Sequence, residues 1–263
     1  MAVKMNPGVS GNSALLAEEL PHSLSHEQLV LEGDYPGRSI VNKFGRNPDV
    51  DTGAVPEDIW NGGGVYAGFP TGAAEEFEVF SSSASDTGVL TFTYLPSFTA
   101  TSYSTATVTL NGTTAVSTGV TGVRMHTAQY SSGNSTGFNI GTITVRHKVT
   151  TANVFCVMPI GRSQTNIGVY TVPFGSIAIL KRLFCRVIGS NTGQVDGAVW
   201  ARTLNGSPRL RRPFTSTATA SFEEQPYGGL VFSAGTDLTI RISSTSANNL
   251  DIVGGFDLEI VTL

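Results

Sequence analysis

From Glu75 onward, hydrophobic and polar positions alternate with a period of two, or gather into short apolar runs closed by Gly, Asn or Ser. Alternation of this kind puts every second side chain on one face of an extended chain, so it predicts half-buried β-strands. The pattern places strands over Glu76–Ser81, Val89–Tyr94, Ala106–Leu110, Thr114–Thr118, Gly122–Ala128, Asn139–Lys148 and Val154–Ile160. It continues through Gly168–Val172, Ser176–Ile188, Gln194–Leu204, Arg211–Ala218, Leu230–Phe232, Asp237–Ser243 and Asp251–Val261. Asn111-Gly112 and Asn205-Gly206 are hairpin cues, because both dipeptides accept the positive φ that tight strand connections require. Helix and strand do not alternate, which disfavours a doubly wound sheet. The expected fold is all-β, an antiparallel β-sandwich of jelly-roll-like form. No repeat recurs at 20–50 residues, which argues against propellers and solenoids.

Helical spacing is confined to Ser10–Glu32. Asn12 or Ser13 is placed to cap ALLAEEL, Pro21 interrupts, and Ser23 or Ser25 offers a second start that Gly33 ends. Helices this short need packing against something, either a neighbouring copy or their own domain. Between this arm and the β body lies a strap, Asn42–Gly72, that contains Pro48, Pro56, Pro70 and the run Gly62-Gly63-Gly64. Such punctuation argues against a helix or a long strand. A solvated linker, however, would not carry Phe44, Ile59, Trp60, Tyr66 and Phe69. The expected organisation is an arm over 1–40, an irregular strap over 41–75 and a sandwich body over 76–263 that is open to division. Phe44, Trp60, Tyr66 and Phe69 are the expected buried anchors of the strap.

Charge and cysteine usage change this picture only slightly. Charged residues make up 14% of the 263, and there are 30 glycines, as suits a turn-rich sheet protein. Residues 1–86 hold 4 basic and 13 acidic side chains, while 87–263 hold 12 and 7. An acidic front joined to a mildly basic body can pair with neighbouring copies, although a solvated acidic surface explains the same imbalance and is the favoured account. Cys156 and Cys185 lie in apolar strand-like runs, with no CxxC and no leader pattern, so reduced core thiols are expected; a disulfide requires their strands to be neighbours. No apolar run reaches the length of a membrane span, so a soluble protein is expected.

A catalytic constellation is missing. His22 and His26 have no further ligands to complete a zinc set, and His126 and His147 fall within strands. Asp49, Asp51, Glu57 and Asp58 depart from calcium-loop spacing, and turn capping is the better account of them. Neither a nucleophile elbow nor a phosphate loop occurs. Arg209, Arg211 and Arg212 follow Gly206 and are the candidate intersubunit patch; three arginines in a chain of net charge −4 do not make a nucleic-acid surface. No enzyme activity, metal or cofactor is expected.

The order KFGRNPDVDT, PEDIW and NGGGVYAGFPTGAAEEFEVFSSSASDTG resembles a module near the front of virion structural proteins of tailed double-stranded DNA bacteriophages. GFNIGTITVR at Gly137–Arg146, VYTVPFGSIAIL at Val169–Leu180 and GGFDLEIVTL at Gly254–Leu263 resemble landmarks of the same proteins, so the likeness covers roughly Val41–Leu263. The resemblance implies a particle component made in the host cytoplasm and resident in the virion. One expected role is a capsid decoration or head-fibre subunit that binds capsid proteins and other copies of itself, with a trimer among the cyclic options. The alternative is a tail or fibre module that binds a host-surface glycan.

Overall fold

A computed structural model describes residues 25–69, 72–131, 136–188, 193–204, 206–226 and 229–263. The predicted helix ALLAEEL lies outside the described residues. In chain order the elements are α1 (His26–Glu32), β1 (Arg38–Val50) and β2 (Glu57–Asp58). Next come β3 (Glu75–Ser81), β4 (Val89–Leu95), β5 (Ser104–Thr109), β6 (Val116–Gly122), β7 (Arg124–Ser131), β8 (Ile143–His147) and β9 (Val154–Met158). The chain closes with β10 (Val169–Thr171), β11 (Ser176–Ile188), β12 (Gln194–Arg202), β13 (Arg209–Thr217), β14 (Phe222–Glu224), β15 (Leu230–Phe232), β16 (Asp237–Thr245) and β17 (Leu250–Thr262). All paired strands run antiparallel.

The strands form two sandwiches rather than one. One sheet runs β1-β17-β11 and ends on β14 and β15, which pair with successive parts of β11; the sheet facing it runs β10-β16-β12-β13, with β2 extending it along β16. If β14 and β15 count as one interrupted strand and β2 is set aside, the sheets read 1-8-3-6 and 2-7-4-5 in chain order, which is the double Greek key of a jelly roll. The remaining strands, β3 to β9, form sheets β6-β3-β8-β9 and β5-β4-β7. This second sandwich is an insertion in the connection between the first two jelly-roll strands. Each sandwich has its own core: Leu180, Leu183, Val199, Ile240, Ile252, Phe256 and Leu258 fill the jelly roll, whereas Phe77, Leu90, Phe92, Ile143, Phe155 and Met158 fill the insertion.

Local sequence explains the longest strands. In β11 the inward positions Ala178 and Leu180 give way to Leu183, Cys185 and Val187, a change of phase that follows from the irregular register between Leu180 and Arg182. The bulge spends the polar pair Lys181-Arg182 on the outside and returns the apolar series to the core. Beside it, β17 turns Leu250, Ile252, Phe256, Leu258 and Ile260 inward.

The first ten residues of the expected strap, 41–50, belong to a strand, which corrects the reading of that part as irregular; the 40/41 boundary also falls inside β1. Proline is tolerated here because β1 is an edge strand, and Pro48 lies where the register breaks between Asn47 and Val50. Burial of Phe44 is corrected too. Along β1 the neighbour Lys43 faces inward and Phe44 is 39% exposed on the outer face. The Asn111-Gly112 turn forms, with an Asn111–Thr114 bridge, but β5 and β6 flanking it belong to different sheets, so it is a crossover rather than a hairpin. β12 and β13, which flank the second cue, pair as a hairpin, and Asn205 itself lies outside the described residues.

The second predicted helix forms as α1. Ser25 and Gln28 make a reciprocal capping box, and Gly33 closes the helix in the left-handed region at φ 86°. It packs on its own domain, where His26 lies 2.9 Å and Arg38 2.5 Å from the Glu259 carboxylate on the outer face of β17. Lys181 approaches the same group at 3.7 Å. Burial alone would raise the Glu259 pKa, but hydrogen bonds from His26 and Arg38 outweigh it and hold the carboxyl below its ordinary value.

Candidate functional site

Three of the four expected strap anchors meet at the joint between the sandwiches. The Trp60 and Tyr66 rings lie edge to face at 5.0 Å, and Tyr66 and Phe69 do so at 4.9 Å. Trp60 and Tyr66 are buried, and Phe69 is half-buried. The Tyr66 hydroxyl donates to the Phe155 carbonyl of β9 at 3.1 Å, tying the strap to the inserted sandwich. Trp60 donates from Nε1 to the Gly64 carbonyl at 3.2 Å. That ring folds back over the chain so closely that a Cβ on Gly62 would lie 2.2 Å from it, which accounts for one glycine of the run.

Two buried ion pairs frame the rings. Arg124 of β7 and Asp237 of β16 are both 2% exposed and meet through two hydrogen bonds of 2.9 and 2.8 Å. Asp237 also accepts from Thr171 Oγ1 at 2.6 Å and Arg202 Nη2 at 2.9 Å. Asp58 accepts from Arg241 at 2.8 and 2.9 Å and from the Tyr66 backbone N–H at 2.7 Å. The guanidinium groups cover aromatic faces as well: Arg124 and Arg202 lie 5.4 and 5.5 Å from the Phe69 ring centre, and Arg241 lies 5.6 Å from that of Trp200. A cleft of about 340 Å³ opens beside this cluster, lined by Phe69, Trp200, Arg202 and Pro208 among others. Its carboxylate, Asp237, is saturated by Arg124, Arg202 and Thr171. Charge pairing, rather than proton transfer, is what this arrangement does chemically.

Two other acidic residues of the strap accept hydrogen bonds from neutral groups. Glu57 accepts from Asn47 Nδ2 at 2.8 Å and from the Gly64 N–H at 2.9 Å, and Asp51 accepts from the Asn249 N–H at 2.7 Å across to the β16–β17 turn. These contacts support the turn-capping account of Asp51 and Glu57; Asp58 serves the joint.

Lys43 forms a third contact across the joint. Its Nζ donates at 2.5 Å to the carbonyl of His126, whose ring sits between Tyr103 and Tyr170 at 5.0 and 5.1 Å. Burial lowers the Lys43 pKa to about 7; burial and then the nearby lysine charge lower His126 to about 2. His147, in contrast, has both ring nitrogens partnered, by the Gly122 carbonyl at 3.0 Å and the Asn153 side chain at 3.2 Å. Cys156 and Cys185 are free thiols in separate cores, pushed up to about 12 by burial.

The expected arginine patch divides. Arg212 makes a two-pronged ion pair with Glu224 of β14. Arg209 and Arg211 instead line a groove of about 360 Å³ between the β12–β13 hairpin and the β15–β16 turn. The joint residues Arg124, Trp200, Arg202, Asp237 and Arg241 escaped sequence reasoning; Arg124 and Asp237 stand 113 positions apart and carry no local motif.

No family model and no curated protein matches this chain. Among solved structures, one of the Gt strain of infectious bursal disease virus is 11% identical and aligns over 95% of this chain and 77% of its own, with a TM-score of 0.24. A structure of the Gx strain is also 11% identical and aligns over 86% and 72%, with a TM-score of 0.26. Such scores fall short of a shared fold. No helix among the described residues is long and apolar enough to cross a membrane.

Proposed function

We propose that this chain is a non-enzymatic structural protein of a tailed-phage particle, an exterior decoration or head-fibre subunit bound to the capsid. The observation that carries the reading is where the resembling segments fall. Val169–Leu180 spans the edge strand β10 and the start of β11, and Gly254–Leu263 takes in most of β17, so two of the three landmarks lie in the jelly roll and reach β11 and β17, the two inner strands of one sheet. Jelly rolls serve capsid and lectin domains alike, and a fold does not by itself assign a function. Saturation of the buried carboxylates at the joint supports a scaffold over a hydrolase. Exposed Phe138, Ile140 and Ile160 offer apolar contact to neighbouring subunits. A subunit that binds only the assembled shell stabilises it by mass action, and cyclic self-association, as a trimer, suits that task.

Two measurements test this. Labelled copies on purified particles are expected on the head. Truncation of residues 1–24 leaves α1 and its Glu259 contacts in place, and a fall in copy number is expected if the front of the chain attaches the subunit; unchanged incorporation removes that segment from the attachment model. The Arg209/Arg211 groove favours a second reading, a tail or fibre module that binds a host-surface glycan, which predicts label at the fibre tip.

A further inference from the structure

Arg209 and Arg211 differ from the other arginines described above in having no carboxylate within ion-pair distance among the described residues. Their neighbour Arg212 is neutralised by Glu224, so the contrast arises within four consecutive positions of one strand. A bulge falls at this point. Leu210 pairs with Trp200 and Arg212 with Val199, which leaves Arg211 as the extra residue of β13. Arg211 lines the groove with Arg209, two positions away along the strand, and its guanidinium lies 5.9 Å from the Phe232 ring centre. Pairing of Arg202 with Asp237 across β12 and β16 brings the β15–β16 turn alongside, and with it Ser233. From the hairpin side come the hydroxyls of Thr203 and Ser207. Among the described residues no carboxylate lines the groove.

We infer that this groove binds a carboxylate-bearing sugar of an acidic polysaccharide. Two guanidinium groups offer the forked N–H geometry that a carboxylate accepts, and they are less strongly hydrated than ammonium groups. Hydroxyl-bearing residues on both walls can exchange hydrogen bonds with sugar hydroxyls, and the exposed Val231 provides an apolar contact for the ring's C–H face. A volume of about 360 Å³ lies within the range of small-ligand pockets. The chemistry of the ligand follows from the groove alone; its origin on a host surface rests on the second functional reading.

Calorimetric titration of the full chain with trigalacturonate, maltotriose and inorganic phosphate tests the assignment. Trigalacturonate is expected to bind, to weaken as salt rises, and to lose at least tenfold in affinity in the Arg209→Ala/Arg211→Ala double variant. Arg212→Ala should change it less than twofold, and maltotriose should not bind. Unaltered thermal unfolding of the double variant shows that it is folded. The inference is overturned by no binding of trigalacturonate, by equal binding to the double variant, or by phosphate binding as tightly. Adsorption to host cells separates the two ideas: particles carrying the double variant that adsorb normally, while purified protein still binds trigalacturonate, remove the adhesin reading and leave the groove standing.

Discussion

Arginine meets aromatic rings both at the joint between the sandwiches and in the groove on the jelly roll, yet the two settings are opposite in charge balance. At the joint, Arg124 and Arg241 each face a buried carboxylate through two hydrogen bonds, and the rings of Phe69 and Trp200 take the remaining guanidinium faces. In the groove, Arg209 and Arg211 have apolar and hydroxyl-bearing neighbours but, among the described residues, no acid. A buried cation without a partner is costly, so the joint cannot tolerate loss of its acids. An exposed cation is hydrated and stable without a partner, so the groove can remain available. Arginines that hold the fold and arginines free to bind are therefore distinguished by the acids beside them, not by the arginines themselves.

The largest expected effect comes from Asp237→Asn, which preserves shape but leaves Arg124 and Arg202 facing a neutral group. Loss of about 3–5 kcal/mol in denaturant unfolding is expected, since one partner of a buried pair has been removed. A loss below about 1 kcal/mol would mean that the pair does not hold the joint. Trp60→Ala follows at about 3 kcal/mol, because the ring is 4% exposed and bridges the strap to the inserted core. An unchanged thermal midpoint would show that the ring does no packing.

Lys43 supplies the pH test. Its folded pKa of about 7 lies below that of the unfolded chain, so in this window the unfolded chain binds more protons and stability rises with pH. The contribution is least below about pH 7 and grows toward the lysine's unfolded value, on the order of 2–3 kcal/mol between pH 6 and 9. Lys43→Met is expected to flatten that rise and to stabilise most at pH 6; equal slopes for both proteins would place the ammonium in water. The smallest effect belongs to the groove. Arg209→Ala/Arg211→Ala is expected to leave the unfolding midpoint unchanged, and a marked fall would make these side chains structural and erase the contrast with the joint.

Much of the local architecture was legible. The alternation in Ser176–Ile188 marks β11 at both ends, and Ser25 and Gly33 bracket α1, because caps and period-two burial are written in neighbouring residues. β1 was not legible: Gly45 and Pro48 argue against a strand unless it is known to lie at a sheet edge with a register break. Phe44 was misjudged for the same reason, since only the register reveals that Lys43 faces inward. At the joint, the rings of Trp60, Tyr66 and Phe69 stood out as too apolar for a linker, whereas Arg124 and Asp237 had no signal because their meaning lies in a contact across 113 positions.

The sequence alone determined that this chain is built of antiparallel strands, that a short capped helix precedes them, and that a ring-bearing strap must be buried. Those are short-range properties, set by side-chain alternation, backbone preference and the cost of exposing aromatic surface. Only the tertiary structure decided that there are two cores, that the second interrupts the expected jelly roll between its first two strands, and which arginines find an acid. Such pairings are choices among residues far apart in the chain, and they are made by the packing of sheets that no local pattern encodes.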